Sequence, residues 1–212
     1  MKKIMMLIGQ CLNIVVIISF LSISTQQMGA NPLFENENKE NIESNSAYSN
    51  FTLKDTYGKE HSLVDYTDNS KATVVMFIAT QCPYSNAYNE RMVKLYNEYK
   101  PKGIAFVGIN SNKQESNDEV KKHAKDNKFQ FDILKDWDNV VADQFEATKT
   151  PEIYVLNKER EVLYHGRIDN SHKLDLVYSH DLKNALDAIL AGKEVSTKET
   201  KAFGCTIKRV SK

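Results

Sequence analysis

Hydrophobic and polar positions follow two different periods along the middle of the chain. Residues 73–78 and 104–109 form nearly continuous apolar runs, as expected of strands that are covered on both faces. Between them, apolar and aromatic side chains recur at helical spacing over residues 84–99, and Pro101 and Gly103 predict the end of that helix. The pattern therefore predicts a β-α-β unit at the centre of the fold.

The flanking segments extend this alternation of strands and helices. Residues 51–66 alternate apolar and polar side chains around Tyr57 and Gly58, which predicts a β-hairpin. Further along, the pattern predicts helices at residues 115–127, 140–145 and 182–190 and strands at residues 131–134, 152–156 and 161–165. Because this order is that of the thioredoxin arrangement, we expect an α/β thioredoxin fold. We expect a central mixed sheet flanked by helices, with the β-hairpin as an N-terminal extension.

The N-terminus has the pattern of a secretory signal. Lys2 and Lys3 precede an apolar run over residues 4–24, and no acidic residue occurs before Glu35. Residues 1–30 are therefore predicted to be a cleaved signal peptide, with an uncleaved membrane anchor as the alternative. In either case we expect an exported protein, periplasmic or anchored so that it faces the periplasm or the outside. If the segment is not cleaved, residues 4–24 would be its sole membrane contact.

Composition suggests how the rest of the chain is organised. Residues 31–49 are rich in Asn and Glu and lack periodicity, which indicates a flexible linker. Residues 50–192 hold the predicted strands and helices and form the predicted thioredoxin-like domain. Residues 193–212 follow as a C-terminal tail that carries Cys205. A length of 212 residues fits one domain with extensions, since domains usually have ~100–200 residues.

The charge balance argues against one class of partner. The chain has 28 Lys and Arg and 28 Asp and Glu, so its formal net charge is zero. A basic stripe of the kind that binds nucleic acid is therefore not expected. The five histidines show no metal-binding spacing, and neither a metal nor another cofactor is predicted.

Cys82 lies where the first central strand is predicted to give way to a helix. Free backbone N–H groups and the helix dipole at that place favour an anion, so a lowered pKa and a reactive thiolate are expected. Pro83 fits the first helical turn, where its missing N–H costs little. The alternative is a buried, inert cysteine. Of the other two cysteines, Cys11 lies in the predicted targeting segment and Cys205 in the tail.

The segment around Cys82 resembles the active site of thioredoxin-like proteins. Those proteins carry Cys-x-x-Cys at this place, whereas here Ser85 replaces the second cysteine. The resemblance extends to Thr150 and Pro151, which precede a predicted strand where the family has a cis-proline. A cis X-Pro bond turns the chain and leaves backbone groups free to pair with an extended substrate. The resemblance thus implies a substrate groove formed by Thr150, Pro151, Pro83 and Tyr84.

More narrowly, the chain resembles exported, peroxiredoxin-like redoxins of the alkyl hydroperoxide reductase/thiol-specific antioxidant superfamily. The shared segments are FTLKD (residues 51–55) with Gly58, CPY (82–84), TKTP (148–151) and TKAFGCTIK (200–208). The resemblance spans roughly residues 50–209 and implies a thiol-dependent oxidoreductase with antioxidant activity in cell redox homeostasis. Two departures stand out. Ala79 occupies a position where relatives often have another cysteine, and Thr80 lies two rather than three residues before Cys82, which weakens a peroxidase assignment.

Cys205 is the remaining candidate for a second sulfur, because neither Ala79 nor Ser85 offers one. One possibility is that Cys205 resolves Cys82 through a disulfide formed during turnover. A second is a permanent structural bridge, which the chain-entropy model credits with ~4–5 kcal/mol for so long a loop. A third is a free Cys205 that pairs between molecules.

The leading hypothesis is a thiol-disulfide oxidoreductase in which Cys82 attacks, Pro151 shapes the groove and Cys205 resolves. Its partners would be protein disulfides or thiols together with a thiol electron donor that the sequence does not identify. A second hypothesis is a thiol peroxidase that reduces hydroperoxides through a Cys82 sulfenate. A third is a non-catalytic thioredoxin-fold module that binds peptides in the Pro151 groove.

Overall fold

The structure, a computed structural model, describes residues 47–211. The predicted targeting segment 1–30 and most of the predicted linker 31–49 lie outside the described residues. Among residues 47–211, no helix is both long and apolar enough to cross a membrane.

The described residues form nine strands, seven of which make one mixed sheet. The strands are Thr52–Asp55 (β1), Glu60–Ser62 (β2), Ala72–Phe77 (β3), Ile104–Asn110 (β4), Asp132–Lys135 (β5), Lys149–Thr150 (β6), Glu152–Leu156 (β7), Val162–Gly166 (β8) and Cys205–Thr206 (β9). The order in the large sheet is β2-β1-β5-β4-β3-β7-β8, and β6 pairs with β9 in a separate two-stranded sheet. Strand β4 is parallel to β3 and β5, while the remaining neighbours are antiparallel.

Six α-helices and two short 3₁₀ turns connect these strands. They are Leu63–Thr67 (α1), Pro83–Asn86 (α2), Asn89–Tyr99 (α3), Asn117–Asp126 (α4), Val140–Gln144 (α5) and Asp181–Leu190 (α6), with 3₁₀ turns at Lys100–Lys102 and Leu174–Leu176.

The central strand β3 explains why the helices pack on both faces of the sheet. Its side chains alternate between two hydrophobic cores, because successive residues of a strand point to opposite faces. Val74 and Met76 lie in one core, together with side chains of α3 and α6. Val75 and Phe77 lie in the other, together with side chains of α1 and α5. This arrangement confirms the predicted α/β fold with a mixed sheet flanked by helices.

Three local features differ from the sequence-based expectation. Residues 63–67 form α1 instead of extending the hairpin, because Ser62 and Asp65 make a capping box that starts a helix. The helix predicted over residues 84–99 is divided into α2 and α3. The helical spacing of apolar and aromatic residues over 84–99 continues across the break between α2 and α3, so this spacing does not predict the break. The predicted tail contributes strand β9, and its Ile207 is buried in a core.

Candidate active site

Cys82 lies between the end of β3 and the start of α2. It is the N-cap residue of α2, and Pro83 occupies the first turn of that helix, as predicted. The Ser85 N–H donates a hydrogen bond to the Cys82 Sγ at 3.3 Å. The residue is only 3% exposed. The strand-Cys-Pro-helix arrangement is therefore confirmed, with the sulfur covered by other parts of the chain.

Ser85 cannot act as a second thiol, but it stabilises the loop around Cys82. Its side chain is buried, and its hydroxyl accepts a hydrogen bond from the Ala79 N–H at 3.2 Å. Ser85 thus bonds to the loop before Cys82 through its side chain and to Cys82 through its backbone. This fixes the loop that presents the sulfur.

A second segment reaches the Cys82 sulfur from the opposite side. The Thr150–Pro151 peptide bond is cis, as predicted. The Cys82 thiol donates a hydrogen bond to the Thr150 carbonyl oxygen at 3.2 Å. The next residue, Glu152, is buried and accepts hydrogen bonds at 2.8 Å from the N–H groups of Thr148 and Lys149. Its carboxylate therefore holds β6 in place.

Glu152 stays ionised in this buried position. Burial raises its pKa, but His165 and the N–H groups of Lys149 and Thr148 outweigh this effect, so the pKa lies below its usual range. The His165 Nε2 is 2.9 Å from Glu152 Oε1. A charged acceptor makes stronger hydrogen bonds to backbone N–H groups than a neutral one does.

The C-terminal tail completes the site by pairing with β6. Strand β9 runs antiparallel to β6, with Thr150 opposite Cys205 and Lys149 opposite Thr206. The Ile207 N–H extends the ladder by donating to the Thr148 carbonyl oxygen at 3.0 Å. The backbone edge next to Cys82 is therefore occupied by the chain's own tail.

Gly204 allows the tail to approach this closely. Its φ is +152°, and a Cβ at this position would lie 2.0 Å from the Thr150 carbonyl oxygen. That separation is far below van der Waals contact, so a side chain does not fit without moving the tail. The adjacent Cys205 is brought to Cys82 by this contact between two backbones.

Both thiols are free, and each shifts the pKa of the other. Burial raises the pKa of Cys82, but hydrogen bonds to its thiolate from the side chains of Cys205 and Thr150 and from the Ser85 N–H outweigh burial, so the pKa is lower than that of a free thiol. Cys205 is shifted the other way, because burial and the neighbouring Cys82 raise its pKa. Thiolate therefore forms preferentially at Cys82.

The structure brings together the six site residues that the sequence singles out. Tyr84 is 39% exposed, and its ring makes edge contacts with His172 and Phe203, with centroids 4.7 Å and 6.4 Å away. The set comprises Cys82, Pro83, Tyr84, Thr150, Pro151 and Cys205.

Sequence reasoning missed Glu115, which holds the loop before Cys82. Its side chain is fully buried, and its carboxylate accepts hydrogen bonds from the Thr80 N–H at 2.8 Å and the Gln81 N–H at 3.0 Å. One signal was present in the sequence. The polar residues 110–112 follow a buried strand at the end of the sheet where sites of α/β proteins gather.

One other cluster of potential metal ligands lies on β1, β2 and β5. It consists of Asp55, His61 and Asp132. The His61 Nε2 is 3.0 Å from Asp55 Oδ2, and its Nδ1 is 3.1 Å from the Tyr66 hydroxyl. Both ring nitrogens therefore have hydrogen-bonding partners, which accounts for the cluster without an ion.

The fold and the site define a thioredoxin-fold, thiol-dependent oxidoreductase. Residues 45–165 match the AhpC/TSA family, and the chain belongs to this family. It is 29% identical over 125 residues to thiol-disulfide oxidoreductase ResA from Bacillus subtilis (strain 168). That alignment covers 59% of this chain and 68% of the relative.

Solved structures share the fold of this chain. A hypothetical protein from Sinorhizobium meliloti 1021 is 32% identical with a TM-score of 0.74, covering 79% of this chain and 94% of that one. The thioredoxin domain of a thiol-disulfide oxidoreductase from Bacteroides vulgatus is 22% identical with a TM-score of 0.50, covering 57% and 86%. The second likeness concerns the fold alone. The predicted family, fold class and enzyme class are confirmed.

Proposed function

We propose that this protein is an exported thiol-disulfide oxidoreductase in which Cys82 is the nucleophile and Cys205 the resolving thiol. The observation that carries the proposal is the register of β6 and β9. It places Cys205 opposite Thr150, whose carbonyl oxygen accepts the hydrogen bond from Cys82. This register supports the proposal, because it brings the segment of Cys205 next to the residue that Cys82 contacts before any substrate arrives.

The proposed reaction transfers two electrons from the dithiol to a disulfide substrate. The Cys82 thiolate attacks one substrate sulfur, forming a mixed disulfide and releasing the other sulfur as a thiolate. The Cys205 thiolate then attacks the Cys82 Sγ and expels the second substrate thiolate. The substrate is reduced and the chain holds a Cys82–Cys205 disulfide. A thiol donor returns the chain to the dithiol by the reverse exchange.

Mass mapping after oxidation tests the proposal. The reduced full chain is mixed with oxidised glutathione, quenched with an alkylating agent and digested. We expect an intramolecular peptide pair joined through Cys82 and Cys205, and in Cys205→Ser a lasting glutathione adduct on Cys82. If Cys205 remains alkylatable while Cys82 is blocked in the unmodified chain, the resolving role is wrong.

A hydroperoxide is the second candidate substrate, and one observation favours it. The backbone edge at Thr150 is filled by the tail, so an extended polypeptide finds no free groups to pair with there. A small oxidant needs no such pairing. Stoichiometric consumption of hydrogen peroxide with formation of a Cys82 sulfenate would favour this candidate, whereas rapid exchange with insulin disulfides would favour the first. The hypothesis of a non-catalytic peptide-binding module also requires a free backbone edge at Thr150, so the pairing with the tail argues against it.

Export is the remaining part of the proposal, and it rests on the N-terminal sequence. Lys2 and Lys3 followed by the apolar run 4–24 support it. Fractionation of cells that make a C-terminally tagged chain tests it. A shortened, extracytoplasmic product supports a cleaved signal, and a full-length membrane product supports an anchor. A cytosolic product contradicts export.

A further inference from the structure

A buried polar network lies behind the candidate active site. Its members are Asn110, Asn112, Glu115 and Lys135, whose exposed fractions are 1%, 4%, 0% and 3%. Polar side chains are costly to bury unless they are hydrogen-bonded, and a charged pair is costlier still. The hydrogen bonds of this network must therefore offset the cost of its burial, and they connect it to two neighbouring segments.

On one side, the network holds the loop that precedes Cys82. Glu115 accepts the N–H groups of Thr80 and Gln81 on its two carboxylate oxygens. The same oxygens accept hydrogen bonds from the Asn110 side chain at 2.6 Å and from the Asn112 side chain at 2.9 Å. The carboxylate thus joins the loop to two side-chain amides.

On the other side, the network holds the tail that carries Cys205. The Asn112 Oδ1 accepts a hydrogen bond from the Lys208 N–H at 2.7 Å. The Lys208 carbonyl oxygen in turn accepts one from the Lys113 N–H at 2.9 Å. Lys208 follows Cys205 by three residues, so the tail is fixed close to its thiol.

Charges inside the network are compensated. Burial raises the pKa of Glu115, but its hydrogen bonds outweigh burial and keep the carboxylate ionised. Lys135 donates from its Nζ to the Asn110 Oδ1 at 2.7 Å and to the Asn112 carbonyl oxygen at 2.6 Å. The ammonium group therefore fixes the side-chain amide of Asn110 and the backbone of Asn112.

We infer that Asn112 is a positioning residue for disulfide formation. Its side-chain amide contacts Glu115, which holds the Cys82 loop, and also Lys208, which belongs to the tail that carries Cys205. This inference rests on the proposed function and concerns its second step, the attack of the Cys205 thiolate on the Cys82 sulfur. Fixing both segments through one side chain raises the effective concentration of one thiol at the other.

The reduction potential of the Cys82–Cys205 pair measures this effective concentration. The full chain and its variants are equilibrated in glutathione redox buffers. Alkylation and mass spectrometry then measure the fraction of chains that holds the Cys82–Cys205 disulfide. In Asn112→Ala we expect the equilibrium constant for forming the disulfide to fall about tenfold, which raises the potential by about 30 mV for a two-electron couple. Asn110→Ala is the matched control. It removes an equally buried amide that supports the Cys82 loop through Glu115 but does not touch the tail, so its constant should fall less than that of Asn112→Ala.

A second pair of variants leaves the buried network intact. Lys208→Pro removes the N–H that Asn112 accepts, whereas Lys208→Ala keeps it, and the Lys208 side chain is exposed. Both variants lose the lysine charge that acts on Cys205, so their difference isolates the lost N–H. We expect Lys208→Pro to shift the potential in the same direction as Asn112→Ala and by more than Lys208→Ala does. This pair keeps the test decisive if Asn112→Ala fails to fold.

The outcomes separate this inference from the proposed function. If the unmodified chain forms the disulfide but Lys208→Pro and Lys208→Ala have equal potentials, the positioning role of Asn112 is wrong and the proposed function stands. The same conclusion follows if Asn112→Ala and Asn110→Ala behave alike. If the unmodified chain forms no such disulfide, the proposed function fails, and the inference fails with it.

Discussion

Cys82 and Cys205 lie side by side but belong to two different kinds of structure. Cys82 joins a central strand to a helix, is 3% exposed, and follows a loop held by the fully buried Glu115. Cys205 lies on a strand of two residues near the end of the chain and is partly exposed. One thiol belongs to the core of the fold, and the other belongs to a segment attached to it.

The two thiols also differ in their acidity. The hydrogen bonds around Cys82 lower its pKa, while burial and the neighbouring sulfur raise the pKa of Cys205. The thiol with more thiolate is the better attacking group, and the more exposed one is then left as the resolving group. On the proposed function, this chain divides between two regions the roles that a Cys-x-x-Cys motif places in one turn.

Removing each thiol in turn is the strongest way to break this comparison. Cys82→Ser should lower disulfide-exchange activity at least about a thousandfold, because the nucleophile is lost. Cys205→Ser should retain the first half-reaction and lose multiple turnover, because the mixed disulfide is not resolved. Single-turnover and steady-state rates measure the difference. Equal losses in both phases for the two variants would contradict the division of roles.

Pushing the tail away from β6 should have the next largest effect. Gly204→Ala places a Cβ against the Thr150 carbonyl oxygen. We expect formation of the Cys82–Cys205 disulfide to slow on the order of 100-fold, since a misplacement of ~1 Å costs about that much. An oxidation time course, quenched with an alkylating agent and analysed by mass spectrometry, measures this rate.

Gly192→Ala is the control for the glycine substitution. Gly192 also has a positive φ, +66°, but open space surrounds the position of its Cβ. This variant should lose about 1 kcal/mol of stability from backbone strain without slowing disulfide formation. Equal rates in the two variants would show that the close approach at Gly204 does not position Cys205.

Neutralising Glu115 tests the Cys82 region, whose loop this residue holds. Glu115→Gln should lower the free energy of unfolding at neutral pH by about 1–3 kcal/mol, because a buried charged acceptor is lost. Hydrogen bonds hold the pKa of Glu115 below its usual range despite burial. Its stabilising contribution is therefore present above the unfolded-state pKa and is lost as the pH falls through the folded-state pKa.

Urea unfolding as a function of pH measures this contribution. Stability of the unmodified chain should fall on acidification more steeply than that of Glu115→Gln. Glu60→Gln is a suitable control, because the Glu60 side chain is 67% exposed. Parallel pH profiles for the unmodified chain and Glu115→Gln would contradict an ionised, stabilising Glu115.

The smallest expected effect concerns the acidity of the two thiols. Alkylation across a pH series should show that Cys82 forms thiolate at a lower pH than Cys205 does. In Cys205→Ala the pKa of Cys82 should rise, because the hydrogen bonds from the Cys205 side chain are among those that lower it. A lower pKa for Cys205 than for Cys82 would reverse the proposed roles.

The local part of the site could be predicted from the sequence. Cys82 and Pro83 follow a buried apolar strand and precede a helical pattern, and these neighbours define the start of α2 without distant contacts. Thr150 and Pro151 could be placed through their resemblance to thioredoxin-like proteins. The seven-stranded sheet likewise follows from periodicity, because each of its strands has its own pattern of side chains.

The long-range part could not be predicted in the same way. Residue 115 begins a charged segment that predicts a surface helix. Glu115 is nevertheless fully buried, because the distant N–H groups of Thr80 and Gln81, together with two nearby asparagine amides, satisfy its carboxylate. The pairing of Cys205 with Thr150 depends on the fit of Gly204 against a carbonyl group. Nothing in the tail's own pattern shows that fit, so the sequence leaves three roles for Cys205 open.

The pairing of β6 with β9 has a consequence for how disulfide formation depends on protein concentration. Both thiols belong to one chain, and the strand pairing brings their segments together. Closing a Cys82–Cys205 disulfide would therefore be unimolecular and would not slow when the protein is diluted. A disulfide between two chains would form more slowly as their concentration falls. On the proposed function, a single copy of this protein carries both thiols of the redox pair at any dilution.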